Sequence, residues 1–396
     1  MHRAADIGLV MTGGGARAAY QVGVLDAIRH ILDDRHALPV HSPFGVVSGT
    51  SAGAINAAAF ACRADAFEQA VDRLVEVWSE FHADQVYRTE AIDALRSGGG
   101  LMTMLSAGWA FQRSRKTSMR SLFDNAPLEG LLQQLLDFPR LDRAIESGLL
   151  SALAITASDY SSGRHVTFYQ SPEAISPWTR SQRIAVRESI GIDHLMASSA
   201  IPFLFPAIPL PLEGNRAWFG DGSMRQLAPL SPAIHLGAKR ILVIGAGQLN
   251  SPDRFLPVAA SAGIGAYPSI AQIAGHAMSS IFLDSLSMDI ERLERINKTV
   301  DLIPPDIRRT ASLRKIEVLV IAPSQRIDVI ASRHIQDLPR SVRVLLRAIG
   351  ATEAKGSALA SYLLFEPGFT RELMQLGFDD TLGQRDNVVR FFGLNA

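Results

Sequence analysis

A serine held between two glycines, with a strand-like run before it and a helix-like run after it, constrains this chain most. The stretch reads Phe44-Gly-Val-Val-Ser48-Gly49-Thr50-Ser51-Ala52-Gly53-Ala-Ile-Asn56. The apolar, largely β-branched lead-in suits a short buried strand. Ala54 to Ala61 follows, nearly all small helix formers. Strand, sharp turn and helix in that order is the context of a nucleophile elbow. A serine lifted onto a strained turn needs neighbours without side chains, so that a substrate carbonyl can reach its hydroxyl. The helix behind it points free amides and its positive dipole end at a developing oxyanion. Taken alone, Gly49-x-Ser51-x-Gly53 fits a Gly/Ser turn without chemistry equally well.

A second strand-to-helix turn lies upstream. Ile7 to Met11 reads as a strand and runs into Thr12-Gly13-Gly14-Gly15-Ala16-Arg17-Ala18. Val22, Leu25, Ile28, Ile31 and Leu32 then recur at helical spacing. A glycine-rich loop opening a helix makes an anion-binding nest. The Rossmann spacing is not met, and no Lys-Ser/Thr follows to make a P-loop. The loop suits an oxyanion hole, with the amides of Gly14 and Gly15 facing a substrate oxygen and Arg17 bracing them. It also suits a plain tight turn. Two such turns within about forty residues, one of them carrying a serine, favour the site.

Further along, Ala197 to Pro206 is apolar and stiffened by proline, fit for an acyl chain or for plain core. Ala217-Trp-Phe-Gly220-Asp221-Gly222-Ser223 then sets an acid at the end of an apolar run, beside glycines. Asp221 is placed to serve a serine as base; an ordinary Asp-Gly turn reads the same way.

The chain has 396 residues, 47% of them hydrophobic and 20% charged, as an ordinary globular enzyme of one or two domains has. Its formal net charge is zero, which gives no argument for a nucleic-acid partner. Cys62 is the single cysteine, so no internal disulfide or cysteine-based metal site is expected, in keeping with a reducing compartment. No secretory signal is visible. The uncharged stretches Leu195–Leu212 and Phe255–Leu283 contain prolines and read as buried or ligand-facing rather than transmembrane.

Phe67 to Phe81 and Leu128 to Leu136 are spaced as amphipathic helices. Leu153–Ala157, Arg164–Tyr169 and Ile241–Ile244 read as strands. Between the two helices, Leu101–Leu105, Trp109 and Phe111 lead into Arg113, Arg115, Lys116 and Arg120. This is either a membrane-surface contact or a core helix followed by a solvated turn. Beyond about residue 250 the texture becomes helical, with one strand at Ile316–Ile321. A helix is marked by Val342, Leu345, Leu346 and Ile349, and another by Phe369, Leu373 and Leu376, closed by Gly377.

Gly13-Gly14-Gly15-Ala16-Arg17, Gly49-Thr50-Ser51-Ala52-Gly53 and Asp221-Gly222, in that order, resemble the motifs of patatin-like phospholipases. The proline-rich Ala197–Pro206 segment is similar too. The likeness spans residues 7–250, and the tail resembles, less distinctively, the extension of some bacterial members. It implies a three-layer α/β/α sandwich with a mainly parallel central sheet, carrying a mostly helical C-terminal extension over 251–396 that packs on the catalytic part.

The resemblance also implies a Ser–Asp dyad. Ser51 is then the nucleophile and Asp221 the general base. Gly14 and Gly15 form the oxyanion hole, with Gly13 and Arg17 shaping it, and Gly49 and Gly53 frame the elbow. No cofactor or metal is implied. Ala18 stands where many members have Gly, and Ser223 where Gly or Ala is usual. The implied activity is hydrolysis of phospholipid or lysophospholipid esters in the cytoplasm, with peripheral contact at the inner membrane surface. Other readings stay open: a Ser–His–Asp triad using His194 or His235, an esterase or acyltransferase acting on another ester such as a storage polyester, and a regulated effector whose tail senses a signal.

Overall fold

In a computed structural model the structure describes residues 6–89, 121–172, 174–224, 226–248, 285–308, 313–348 and 357–394, with isolated positions between 273 and 278. Among the described residues ten strands form one mixed sheet: β1 (Ile7–Met11), β2 (Val46–Thr50), β3 (Ala152–Asp159), β4 (His165–Gln170), β5 (Thr179–Arg180), β6 (Arg183–Arg187), β7 (Ile208–Leu212), β8 (Asn215–Asp221), β9 (Arg240–Ile244) and β10 (Glu317–Ile321). The order is β10-β9-β1-β2-β3-β4-β6-β5, and the first five run parallel. β8 enters antiparallel against the end of β3, and β7 pairs β8.

β1, β2 and β9 are buried along their whole length, as parallel strands covered on both faces must be. Their side chains alternate between two cores. Leu9, Met11, Val47, Leu153 and Ile155 belong to one apolar cluster; Val10, Val46, Ala154, Ile241 and Val243 belong to the other. The first face is covered by α1 (Ala19–Asp34), α2 (Ala52–Ala61) and α3 (Phe67–Ser79), flanked by α4 (Ala126–Leu135), α5 (Phe138–Glu146) and α6 (Ile192–Ser198). The second face is covered by α7 (Ser231–His235) and α8 (Ser285–Asp301). The result is an α/β architecture with helices on both sides of the sheet.

The later elements are α9 (Pro305–Arg308), α10 (Ile327–His334), α11 (Arg340–Ala348), α12 (Ser357–Leu363), α13 (Pro367–Leu382) and α14 (Arg385–Phe391). This region adds β10 to the sheet edge and lays α13 along α1. Gly377 does not close its helix. It lies inside α13, where a Cβ would come within 2.2 Å of the Tyr20 carbonyl, and a Cβ on Gly23 of α1 would come within 1.8 Å of the Met374 carbonyl. The two glycines let the helix backbones touch, so Gly377 serves packing rather than termination.

Leu195–Leu212 folds as the end of α6, a loop and β7. Among the described residues no helix is long and apolar enough to cross a membrane. The apolar and basic segment from Leu101 to Arg120, and most of Phe255–Leu283, lie outside the described residues.

Candidate active site

Strand register brings the two glycine turns together. Met11 pairs with Gly49 across β1 and β2, so the loop after β1 and the turn after β2 emerge side by side. They do so at the carboxyl ends of parallel strands, where α/β sheets hold their ligands. Thr50 pairs with Thr156 of β3, and Ala157 pairs with Asp221 of β8. The acid therefore reaches the same end of the sheet from the opposite direction, one strand away from the serine.

Ser51 caps α2 with φ 56° and ψ −132°, a region a non-glycine residue enters only under constraint. The turn closes because its glycines are bare. A Cβ on Gly49 would lie 2.3 Å from the Gly53 carbonyl, and one on Gly53 would lie 2.4 Å from the Met11 carbonyl. The Ser51 amide donates to Ser198 Oγ at 2.9 Å, and Ser198 Oγ donates to the Thr156 carbonyl at 2.6 Å.

The Ser51 hydroxyl donates to Asp221 Oδ2 at 2.5 Å. Asp221 Oδ1 accepts from the Ser223 amide at 2.8 Å. The Asp221 and Gly222 amides are tied to the carbonyls of Ala200 and Ser198. Asp221 is fully buried, and loss of water around its carboxylate lifts its pKa from the ordinary 3.8 to about 6, against the opposing pull of the Ser51 hydroxyl and the Ser223 amide.

Gly13, Gly14 and Gly15 are buried beside this pair. Gly15 sits at φ +55°, with its Cα against the Tyr362 carbonyl, and Gly14 packs on Ala246. Arg17 reaches into the C-terminal region. Its Nε donates to Ser361 Oγ at 2.7 Å, its Nη2 donates to the Ala358 carbonyl at 3.2 Å, and its guanidinium lies 4.1 Å over the Tyr362 ring.

Several buried partners carry no recognisable pattern in the sequence. Trp78 Nε1 donates to Asn56 Oδ1, Asn56 Nδ2 to Gln21 Oε1, and Gln21 Nε2 to the Thr12 carbonyl, at 2.8, 3.0 and 2.7 Å. This chain links α3, α2 and α1 to the glycine loop. Only Asn56, which lies in the elbow stretch itself, offered a signal. His165 is another such residue. Burial pulls its pKa down to about 4, so the neutral ring donates from Nε2 to the Gly222 carbonyl at 3.1 Å.

The histidines named from the sequence sit elsewhere. His194 Nδ1 accepts from the Gly191 amide and its ring packs on Phe168. His235 stacks on Trp178 at 4.8 Å. Neither has a hydrogen bond to Ser51 or Asp221. An apolar pocket adjoins Ser51, walled by Ile55 and Ala59 of α2, Leu74 and Trp78 of α3, Leu132 of α4, and Phe365.

A sheet covered by helices on both faces, with a strained serine turn between a parallel strand and a helix, defines an α/β protein. The patatin-like phospholipase family model matches residues 9–234, and the chain belongs to that family. Among solved structures, the chain is similar to VipD from Legionella pneumophila at 13% identity and a TM-score of 0.31, over 96% of this chain and 67% of that one. It is also similar to full-length ExoU of the Pseudomonas aeruginosa type III secretion system, solved in complex with SpcU, at 16% identity and a TM-score of 0.26, over 90% of this chain and 70% of that one. No curated protein matches it.

Proposed function

We propose that the protein is a metal-independent serine lipid acyl hydrolase, of phospholipase A or lysophospholipase type, acting through a Ser51–Asp221 dyad. One observation carries this reading: the 2.5 Å hydrogen bond from Ser51, which lines an apolar pocket, to a fully buried Asp221. A carboxylate whose pKa is lifted to about 6 is a better base than an exposed one and is still ionised at neutral pH. Asp221 takes the Ser51 proton as Oγ attacks the ester carbonyl. The loop at Gly13–Gly15 and the start of α2 hold the oxyanion. The protonated Asp221 returns its proton to the leaving alcohol, leaving an acyl-serine. Water, deprotonated by Asp221, then releases the fatty acid and restores Ser51.

Residues 7–250 form the catalytic part in this proposal, and 251–396 the extension that supports it through Arg17. A cytoplasmic setting with peripheral contact at the inner membrane surface belongs to the same proposal; it rests on the single cysteine and on the lipid substrate. The test is labelling by a fluorophosphonate, with hydrolysis of phospholipid and lysophospholipid panels alongside. Wild type is labelled, Ser51→Ala is not, and Asp221→Asn is labelled far more slowly. Labelling that persists in Ser51→Ala removes the assignment.

A further inference from the structure

α2 is buried along its whole length except at two positions. Ile55 and Ala59 alone are partly accessible, one turn apart, in line with Ser51 before them and Arg63 after them. A stripe at every fourth residue is one face of a helix. Apolar side chains in mid-helix stay accessible here because they face open space. The facing walls repeat the pattern: Ala70, Leu74 and Trp78 follow one stripe of α3, and Leu128, Leu132 and Leu135 one stripe of α4. The same space touches Ser51 at one end and the half-buried Arg63 and Arg73 at the other.

We infer that this three-helix channel is a ruler for one acyl chain, running along α2 from the ester carbon at Ser51 and ending at Arg63 and Arg73. At the rise of an α-helix, Ala59 lies ~12 Å and Arg63 ~18 Å along the axis from Ser51. An extended chain advances ~1.25 Å per methylene, so the channel takes about 14 carbons and Ala59 stands about 10 carbons from the ester. A longer chain brings methyl and methylene groups between two guanidinium groups, which is unfavourable. The substrate class is thus a medium to long acyl ester, and Ala59 sets how deep the chain reaches. This inference rests on the hydrolase reading for its kinetic arm and on the channel alone for its binding arm.

The kinetic arm uses 4-nitrophenyl esters of four, eight, twelve and sixteen carbons. For wild type kcat/KM peaks near twelve to fourteen carbons. In Ala59→Phe the ring fills the channel midway, and the ratio of kcat/KM for twelve carbons to that for four falls about tenfold or more. An unchanged ratio overturns the proposal. The binding arm uses Ser51→Ala and lysophosphatidylcholines of graded chain length below their micelle concentrations, by calorimetry. Affinity climbs with length to about 14 carbons, and Ala59→Phe on that background removes the climb. Length-independent binding overturns the channel even if esters are cleaved. Length-dependent binding without any ester cleavage keeps the channel and removes the hydrolase reading. Should Ala59→Phe not fold, Ala59→Leu asks the same question with a smaller side chain.

Discussion

Ser198 Oγ accepts from the Ser51 amide at 2.9 Å and donates its own hydroxyl to the Thr156 carbonyl at 2.6 Å. One side chain thereby ties the strained serine to the adjacent strand. The same residue's carbonyl accepts the Gly222 amide, so serine and acid are referenced to a single point. A backbone at φ 56° persists only where its surroundings over-determine it.

Ser198→Ala leaves a buried amide without an acceptor. The expected cost is about 2 kcal/mol of stability. Loss of alignment also slows fluorophosphonate labelling on the order of tenfold, with KM little changed. Urea denaturation and labelling kinetics read the two effects separately. Unchanged labelling in a destabilised protein would assign Ser198 to packing only.

Activity should follow the ionisation of Asp221. In the proposed dyad Asp221 acts as base only when unprotonated, so kcat/KM climbs from acid pH with a midpoint about 6 and then levels. Asp221→Asn loses this limb. The stability sign is opposite. The folded pKa lies above the ordinary value, so burial of the carboxylate costs nothing below pH 3.8, and the cost grows through pH 6 and is constant above it. At pH 8, Asp221→Asn should therefore be more stable than wild type by about 3 kcal/mol, and near pH 4 the two should converge. Urea titrations at both pH values decide it; equal gaps at the two would rule out the buried charge as the cause.

A dyad makes the histidines dispensable for chemistry. Burial holds His194 and His235 below their usual pKa, and their hydrogen bonds stay local: His194 accepts from the Gly191 amide that caps its own helix, and His235 bonds the Ser231 carbonyl within α7. His194→Gln and His235→Gln should keep kcat within about threefold, whereas loss of a triad base costs orders of magnitude. A drop beyond a hundredfold in either would restore a triad.

The sequence showed those parts of the site whose chemistry forbids side chains. Gly49, Gly53 and Gly15 are legible because a Cβ at each would meet backbone within 2.4 Å. The strands β1, β2, β3, β4 and β9 were legible from their apolar runs. Ser198 and His165 were not, because a buried serine or histidine acquires its role only from strands that meet in the fold. The short, exposed β5 and the proline-bearing β7 carry no alternating pattern to read. Gly377 read as a helix end because a stop glycine and a helix-crossing glycine look alike until the partner helix is seen.

Arg17 illustrates the same point and carries the last prediction. It sits in the glycine loop, yet the groups it holds are more than three hundred residues away: Ser361, the Ala358 carbonyl and the Tyr362 ring. Tyr362 in turn presents its carbonyl to Gly15, so α12 clamps the loop from outside. Arg17 is buried, so its hydrogen bonds and ring contact are little screened. Arg17→Ala should cost about 3 kcal/mol. Arg17→Lys, which keeps the charge but not the fork, should recover only part of that. Hydrogen exchange should quicken over 357–363 and the glycine loop while α5 keeps its protection, and Ser51 labelling should slow in step. Faster exchange in α12 with labelling unchanged would show that the clamp serves stability and not the loop.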